Sequence, residues 1–513
     1  MGFLRIRIRI RINIRILILA VALQCFGGLM LRGAETSQPA SGRVMTLKEC
    51  VIIALQQAYD LQIQTLSVDA AISGARAADA SYEPSLAASL TYRDTTEPGG
   101  IDTRTGEFSN SQTNTTSSSV SVNGLLPTGA TYSVGASISD TEGDRGGSAF
   151  SNASGQGPFI QIRQPLMENF AIDDARLNIE ASRQNLKISE FQLHQSILQI
   201  VNRVEDAYYD LIAARENVRV QESAVQLADQ LWQENQKRVA LGALAPIEEA
   251  EARSQAATAK ASLLSSKQAV AAAQNVLKGI MVDDFAQWQA QTILPKESLT
   301  ETPATLDFNA SWDQAMVQRP DLRILQLQLE QRTLIERRRQ NQTMPNLDLT
   351  AGAGLRGSSR ELSGVFDQVQ DREAPFYSLG LSLTLPLGNR REKENFRSAQ
   401  IATEQARLRL KQQRQVLMVQ LDNAVNQAKI DIERIDATRK ARVFAEQALA
   451  NEQGKLARGA STNFIVLQLQ RNLTAARSSE IRSVAGYNRS LSRLRLLEGS
   501  NLAPHQVFLS IAE

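Results

Sequence analysis

The sequence predicts a mainly α-helical chain with some β-strand, in which one unit of helix, strand segment and long antiparallel helical hairpin occurs twice. Three observations predict this. Proline and glycine are both absent from Leu166 to Leu241 and again from Asn389 to Gln453, so two long stretches lack helix breakers. Landmarks recur in the same order along both halves. Between the prolines that precede each long stretch, the apolar period changes from helical to two.

The first element is a leader. Isoleucine alternates with arginine or asparagine from Arg5 to Arg15, Ile16 to Leu23 is continuously apolar, and small residues follow at Gly27, Gly28, Gly33 and Ala34. A positive flank, a short apolar run and small residues make a secretory signal, and the run is too short to span a bilayer. We assign residues 1–34 to it, with Cys25 as a lipid-modified first residue or, with the poorly matching Ala22-Leu23-Gln24 before it, simply part of the leader. The chain has 56 basic and 54 acidic residues, and six arginines precede Glu35. The remainder is therefore mildly acidic, which argues against a general nucleic-acid binder. Two cysteines exclude a disulfide scaffold, and no run of 18 apolar residues suggests a multi-span helical membrane protein.

Residues 35–295 form the first repeat and residues 296–513 the second. Tyr59-Asp60-Leu61 matches Pro320-Asp321-Leu322, and Glu83-Pro84-Ser85-Leu86 matches Met344-Pro345-Asn346-Leu347 at the same offset. Gln164-Pro165-Leu166 then matches Leu385-Pro386-Leu387, and Gly242 matches Gly459, at shorter offsets, so the first half carries an insertion between Pro84 and Pro165.

Within the first long helix, Leu193, Ile197, Ile200, Val204, Ala207, Leu211, Ala214, Val218, Gln221, Val225, Ala228 and Trp232 step alternately by four and three. This is a heptad seam, and its small residues allow close helix contact. Leu421, Val425, Ala428, Ile432 and Ile435 repeat the pattern in the second half. At ~1.5 Å per residue, a helix of ~70 residues reaches about 100 Å and needs lateral partners throughout. The helices stop at Arg238-Val239-Ala240-Leu241-Gly242 and Lys455-Leu456-Ala457-Arg458-Gly459. Pro246 and Ser461-Thr462 open the returns, so each hairpin has a tip, at 242–246 and 458–462.

The strands come next. Tyr377, Leu379, Leu381, Leu383 and Leu385 alternate with small polar residues; Leu347, Leu349, Ala351, Ala353 and Leu355 form a weaker set. Leu86, Ala88, Leu90 and Tyr92, then Ile160 and Ile162, do the same in the first half. Apolar-out, small-polar-in segments of ~10 residues suit transmembrane β-strands. The Ser/Thr/Asn/Gly-rich stretch 97–157 reads as a long outer loop, but Val120, Val122, Tyr132, Val134, Ala136 and Ile138 alternate around Leu126-Pro127-Thr128-Gly129. The chain thus supplies four strands, or six if that stretch is a hairpin. Neither number closes a channel alone, and open edges in lipid are costly, so the barrel must be shared among copies.

The ordered landmarks Tyr82-Glu83-Pro84-Ser85-Leu86, Gln164-Pro165-Leu166, Arg319-Pro320-Asp321-Leu322, Met344-Pro345-Asn346-Leu347, Leu385-Pro386-Leu387-Gly388 and the two glycine turns resemble the TolC-like outer-membrane efflux channels over nearly all of the mature chain. The resemblance implies a homotrimer in the outer membrane of a Gram-negative bacterium. It also implies a shared 12-stranded barrel facing lipid, a helical barrel in the periplasm, a periplasmic adaptor at the tips and an inner-membrane transporter behind it. The mixed region 282–311 would form a belt. Adaptor docking then falls to Arg238, Leu241, Gly242, Pro246, Arg458, Gly459, Ser461 and Thr462. Where many members carry acidic constriction rings after the second tip, this chain has Ile465 and Gln468; Glu248 or Glu251, after the first tip, supplies an alternative ring.

Chemistry finds little support. The two histidines, His194 and His505, lie on the seam-rich helix and in the tail, Glu205-Asp206 reads as a surface pair, and no phosphate loop, metal cluster or nucleophile elbow occurs. We therefore expect no catalytic residue, cofactor, metal or nucleic-acid partner. The function expected is a passive conduit for drugs, metal ions or polypeptides; the competing expectation is a non-transporting coiled-coil scaffold of the periplasm.

Overall fold

The computed structural model describes residues 42–98, 101, 106, 110–145, 148–299 and 306–505. The leader, with Cys25 and its cleavage point, lies outside them. In chain order the elements are β1 (Gly42–Met45), α1 (Leu47–Gln57), α2 (Tyr59–Asp79), β2 (Ser85–Glu97), β3 (Ser111–Leu125), β4 (Thr131–Arg145), β5 (Ser148–Pro165), α3 (Asp174–Ala240) and α4 (Pro246–Met281). Then follow α5 (Phe285–Trp288), β6 (Thr292–Pro295), α6 (Phe308–Gln318), α7 (Pro320–Asn341), β7 (Asn346–Ser359), α8 (Leu362–Gln370), β8 (Ala374–Thr384), α9 (Arg390–Ala457) and α10 (Asn463–Glu498). The fold is mainly α with β, and its helical hairpins, α3–α4 and α9–α10, are duplicated as expected. The described residues gather into two compact units that cut across the sequence repeats: one from 42–68, 189–299, 306–324 and 410–505, the other from the described parts of 69–188 and from 325–409.

The first unit is mostly helix. Every seam residue from Leu193 to Trp232 is buried or half-buried, and so are Leu421, Val425, Ala428, Ile432 and Ile435. Its largest core joins α3 (Ile197 to Ile212) to Val51 and Ala54 of α1, Leu277 and Met281 of α4, and Ile293 of β6. Thr46 opens α1 with a reciprocal capping box to Glu49, which satisfies two orphan donors of the first turn. Within the mixed region 282–311, β6 pairs in parallel with β1, Gly42 with Thr292 through Met45 with Pro295. Tyr208 of α3 clips this pair, donating to the Met45 carbonyl at 3.0 Å and to the Glu297 carboxylate. The Arg319-Pro320-Asp321-Leu322 landmark acquires a physical meaning. Arg319 forks onto Asp321 at 2.8 and 2.6 Å and reaches the Leu497 carbonyl at 3.2 Å, while Pro320 starts α7.

One sequence expectation is reversed here. Glu205, read as half of a surface pair, is 0% exposed. The segment ending at His505 folds back over it: His505 Nε2 lies 2.7 Å from Glu205 Oε1, Ser492 donates to Oε2, and Asn202 donates to Ser492 Oγ at 2.6 Å. Asn501, fully buried, donates to the Leu198 carbonyl at 2.8 Å and fixes the return. A carboxyl group buried this deeply persists only when its oxygens are hydrogen-bonded.

The second unit carries one six-stranded antiparallel sheet in the order β2-β3-β4-β5-β7-β8. The higher of the two strand counts is therefore realised, and most of the stretch expected as an outer loop is strand. At the sheet's helix-bearing end, Asn341 accepts from the Asn169 backbone amide at 2.8 Å, and Arg338, nearly buried, forks onto Asp174 at 2.8 and 3.2 Å. A nine-residue helix that the sequence reading missed, α8, rests on the sheet over Gly155 and Gly357, where any β-carbon would press against Val365.

Candidate functional sites: the helical turns and the two-faced sheet

The two helical turns share one geometry. After α3, Gly242 takes φ +71°; its N–H bonds the Val239 carbonyl at 2.9 Å, and that of Ala243 bonds the Arg238 carbonyl at 2.8 Å. After α9, Gly459 takes φ +75°, with Gly459 to Leu456 at 3.1 Å and Ala460 to Lys455 at 2.9 Å. Both are Schellman stops, in which a left-handed residue lets the chain satisfy orphan helix carbonyls. No atom lies within 4 Å of a β-carbon built on either glycine, so backbone conformation alone demands glycine there.

Pro246 begins α4 at its first position, and Thr462 precedes α10 without a side-chain cap. Ser461 donates instead to Glu452 at 2.5 Å; that bond, and a second from Lys455, hold the Glu452 carboxyl below its usual range. Arg238 pairs with Glu234 one turn back, and Arg458 is exposed. Leu241 is 83% exposed, with Ile247 and Phe464 also largely uncovered. Apolar side chains presented singly on turns are contact points that need no covering within the chain.

The expected constriction residues separate into two groups. Glu248 is half-buried, and its carboxylate accepts from Asn463 Nδ2 at 2.9 Å, while the Glu248 carbonyl accepts from Asn235 Nδ2 at 3.2 Å. Both asparagines are almost fully buried, so Glu248 stitches the first turn to the second. Glu251, Ile465 and Gln468 are exposed, and Gln468 donates along its own helix to Asn472 at 3.2 Å. Sequence spacing alone gave no sign of the Asn235–Glu248–Asn463 stitch, because its partners lie on three helices. Behind the turns, Leu231, Leu449, Val466, Leu467 and Leu473 form one apolar cluster, and Ala228, Ala256 and Ala259 form another. Among the described residues, no group of three or more His, Cys, Asp or Glu side chains is arranged to hold a metal.

The sheet is the second candidate surface. Following cross-strand partners, Leu86 faces Val122, then Val134, Ile160, Ala353 and Tyr377, one apolar row across all six strands. All but Ala353 are more than a third exposed, Tyr377 at 83%. The neighbouring row is Ser85, Asn123, Ser133, Gln161, Gly352 and Ser378, pointing the other way. Leu379, Leu381 and Leu383 extend the apolar face along β8. Such a face in water would be an aggregation hazard; in a bilayer it is the wall of a barrel. Among the described residues, no helix is long and apolar enough to cross a membrane.

Comparison with known proteins agrees with this geometry. The family model described as "Outer membrane efflux protein" matches residues 52–281 and 312–500. No curated protein matches the chain. Among solved structures, the outer-membrane channel OprN is similar with a TM-score of 0.65 at 15% identity, over 88% of this chain and 90% of that one. The CmeC outer membrane channel of Campylobacter jejuni gives 0.62 at 16% identity, covering 91% and 90%. The outer membrane protein VceC of Vibrio cholerae gives 0.63 at 16% identity, covering 88% and 96%. At these identities the likeness is one of fold.

Proposed function

Because the chain belongs to the outer membrane efflux protein family, we propose that it is the outer-membrane channel of a tripartite efflux or secretion system, a passive conduit assembled from three copies. The observation that carries this reading is the sheet: an apolar row unbroken across six strands, backed by a polar one, with β2 and β8 left as edges. Unpaired edges in hydrocarbon cost several kcal/mol per group, so neighbouring copies complete the wall. On this reading the helical hairpins line a periplasmic barrel and their turns meet a periplasmic adaptor linked to an inner-membrane transporter. The Schellman geometry supports that role, since it presents Leu241, Arg238 and Arg458 on rigid stops.

The turns also serve as the gate in this proposal. The bond between Asn463 and Glu248 holds first and second hairpins together, and an adaptor that splays them must break it. Exposed Glu251 then contributes an acidic ring whose field favours cations. The test is conductance of purified oligomers in planar bilayers, with native mass spectrometry for stoichiometry. A trimer that conducts supports the channel; a water-soluble monomer without conductance overturns it. Asn463→Ala is expected to raise open probability, and Glu251→Ala to lower cation selectivity. Unchanged conductance and selectivity in both would remove the gate from the proposal.

A further inference from the structure

The sheet sorts its charges between its two faces as well as its apolar residues. We propose that the polar face is an anion-binding surface centred on Arg356, with Arg93 as its outer member, which takes small solutes bearing a carboxylate or phosphate group. The proposal rests on the channel reading, under which this face lines the passage, and deepens it by naming the charge class that the outer section of the passage prefers.

Register carries the first part. Two rungs outward from the polar row that starts at Ser85, the same face presents Ser89, Ser119, Ser137, Gln156, Arg356 and Ala374. The next rung presents Thr91, Ser117, Ser139, Ser154 and Ser358, and the one after it Arg93, Thr115, Thr141 and Asn152. Side-chain contacts agree with a shared face: the hydroxyls of Ser89 and Ser119 lie 2.8 Å apart, those of Ser117 and Ser139 3.1 Å, and Ser358 donates to Asn152 at 3.3 Å. In these three rungs the charges are two arginines, and no acid accompanies them. Asp94, Asp140 and Glu142 each stand one position from a residue of this face, so the pleat turns them to the opposite one.

The second part is the state of the arginines. Arg356 is exposed, and its guanidinium carbon lies 4.2 Å from the centre of the Phe376 ring. Stacking occupies the flat of the guanidinium and leaves its N–H edge for a ligand. Among the described residues, neither Arg356 nor Arg93 has a carboxylate partner, whereas Arg163, nearer the helix-bearing end of the same face, is paired with Asp348.

The third part is space. A cavity of about 640 Å³ opens on this face; its wall takes in the whole Arg356 rung, Ser117, Ser139, Ser154 and Ser358 of the next, and Gln368 of α8. A sheet encloses space on the side toward which it curls, so the polar face is the concave one. The wall offers hydroxyls and amides that donate or accept, one guanidinium fork and, among the described residues, no carboxylate. An oxyanion on a small polar body suits that set. The fork gives the carboxylate or phosphate two parallel bonds, and the hydroxyls replace water around the remainder. Repeated in each copy of an oligomer, the arginines form rings, an arrangement by which pores favour anions.

The experiment uses full-length oligomers in planar bilayers, with inorganic phosphate as the probe. In a potassium chloride gradient, Arg356→Gln is expected to lower the chloride-to-potassium permeability ratio about twofold, the effect of one unit charge acting across ~8 Å of water. Added phosphate is expected to reduce current through the unaltered channel and not through Arg356→Gln. Arg356→Lys keeps the charge without the fork, so the ratio should hold while the phosphate response weakens. Asp94→Asn, on the opposite face, should leave the phosphate response as it was. Native mass spectrometry checks that each variant assembles; if Arg356→Gln does not, Arg93→Gln reads the same field one turn of the strand pattern outward. An unaltered channel blind to phosphate, a phosphate response that persists in the glutamine variant, or an unchanged ratio overturns the anion surface while the channel stands. A preparation that conducts no current at all overturns the channel reading beneath it.

Discussion

Replacing His505 by alanine tests how the short turn Ala503–His505 is held. Glu205 is wholly inaccessible, and its carboxylate oxygens contact His505 Nε2 on one side and Ser492 Oγ on the other. Removing the imidazole deletes one of two partners of a buried carboxylate and leaves a void beside it. Leaving a buried carboxylate oxygen without its hydrogen-bond partner costs about 2–3 kcal/mol, because the desolvation of that group is no longer offset. Removing the charge as well should cost less. In Glu205→Gln/His505→Ala the buried group is a neutral amide that keeps a bond to Ser492, so we expect the double variant to recover about 1–3 kcal/mol of the loss. The assay is urea unfolding of the detergent-solubilised protein followed by the helical circular dichroism signal, with all four members of the cycle compared by midpoint at constant slope. If the double variant unfolds at or below the midpoint of His505→Ala, the pairing carries no coupling energy and the reasoning fails.

Asp206 gives a pH-dependent counterpart. Burial, then the charges of Asp210 and Glu205, raise its carboxyl to about 6, against the pull of Arg489 and Arg493, and its Oδ1 has no hydrogen-bond partner among the described residues. An acid raised on folding destabilises the native state once pH exceeds its unfolded value near 4, fully so above about 6. Asp206→Asn should therefore stabilise by on the order of 2 kcal/mol at pH 7.5 and by nothing at pH 4, as read by midpoints at both. At the turns, Gly459→Ala should cost about 1 kcal/mol from its positive φ alone, and hydrogen exchange at Lys455 to Ala460 should quicken roughly fivefold. Unchanged exchange would mean that the Schellman bonds are not what orders the turn. On the sheet, a β-carbon at Gly357 would lie 2.8 Å from the Val365 carbonyl oxygen. Gly357→Ala should lift α8 at about 1–3 kcal/mol and expose it to protease, whereas Gly279→Ala, with open space around it, should not.

What could be read in advance followed from local physics. The absence of breakers defined α3 and α9 to within a few residues at their glycine ends, and the seam from Leu193 to Trp232 faces inward as its spacing required. The turns were legible because only glycine takes φ near +70° cheaply. The β3–β4 hairpin was half hidden: one of its faces is mostly serine and threonine, which resembles loop composition, and only Val120, Val122 and the β4 alternation hinted otherwise. The burial of Glu205 was illegible because it depends on His505, 300 positions away. Short β1 and β6 pair across a comparable gap with four residues each, and α8 is a single amphipathic stretch of nine. Each needs tertiary partners to exist, so no window of sequence contains its cause.

The even number of strands has a consequence for how such a channel can change over time. A hairpin adds two strands and returns the polypeptide to the side it left, so the helices on either side keep their direction and their register. An insertion of this kind can therefore enter or leave the sheet without reversing the elements that follow it.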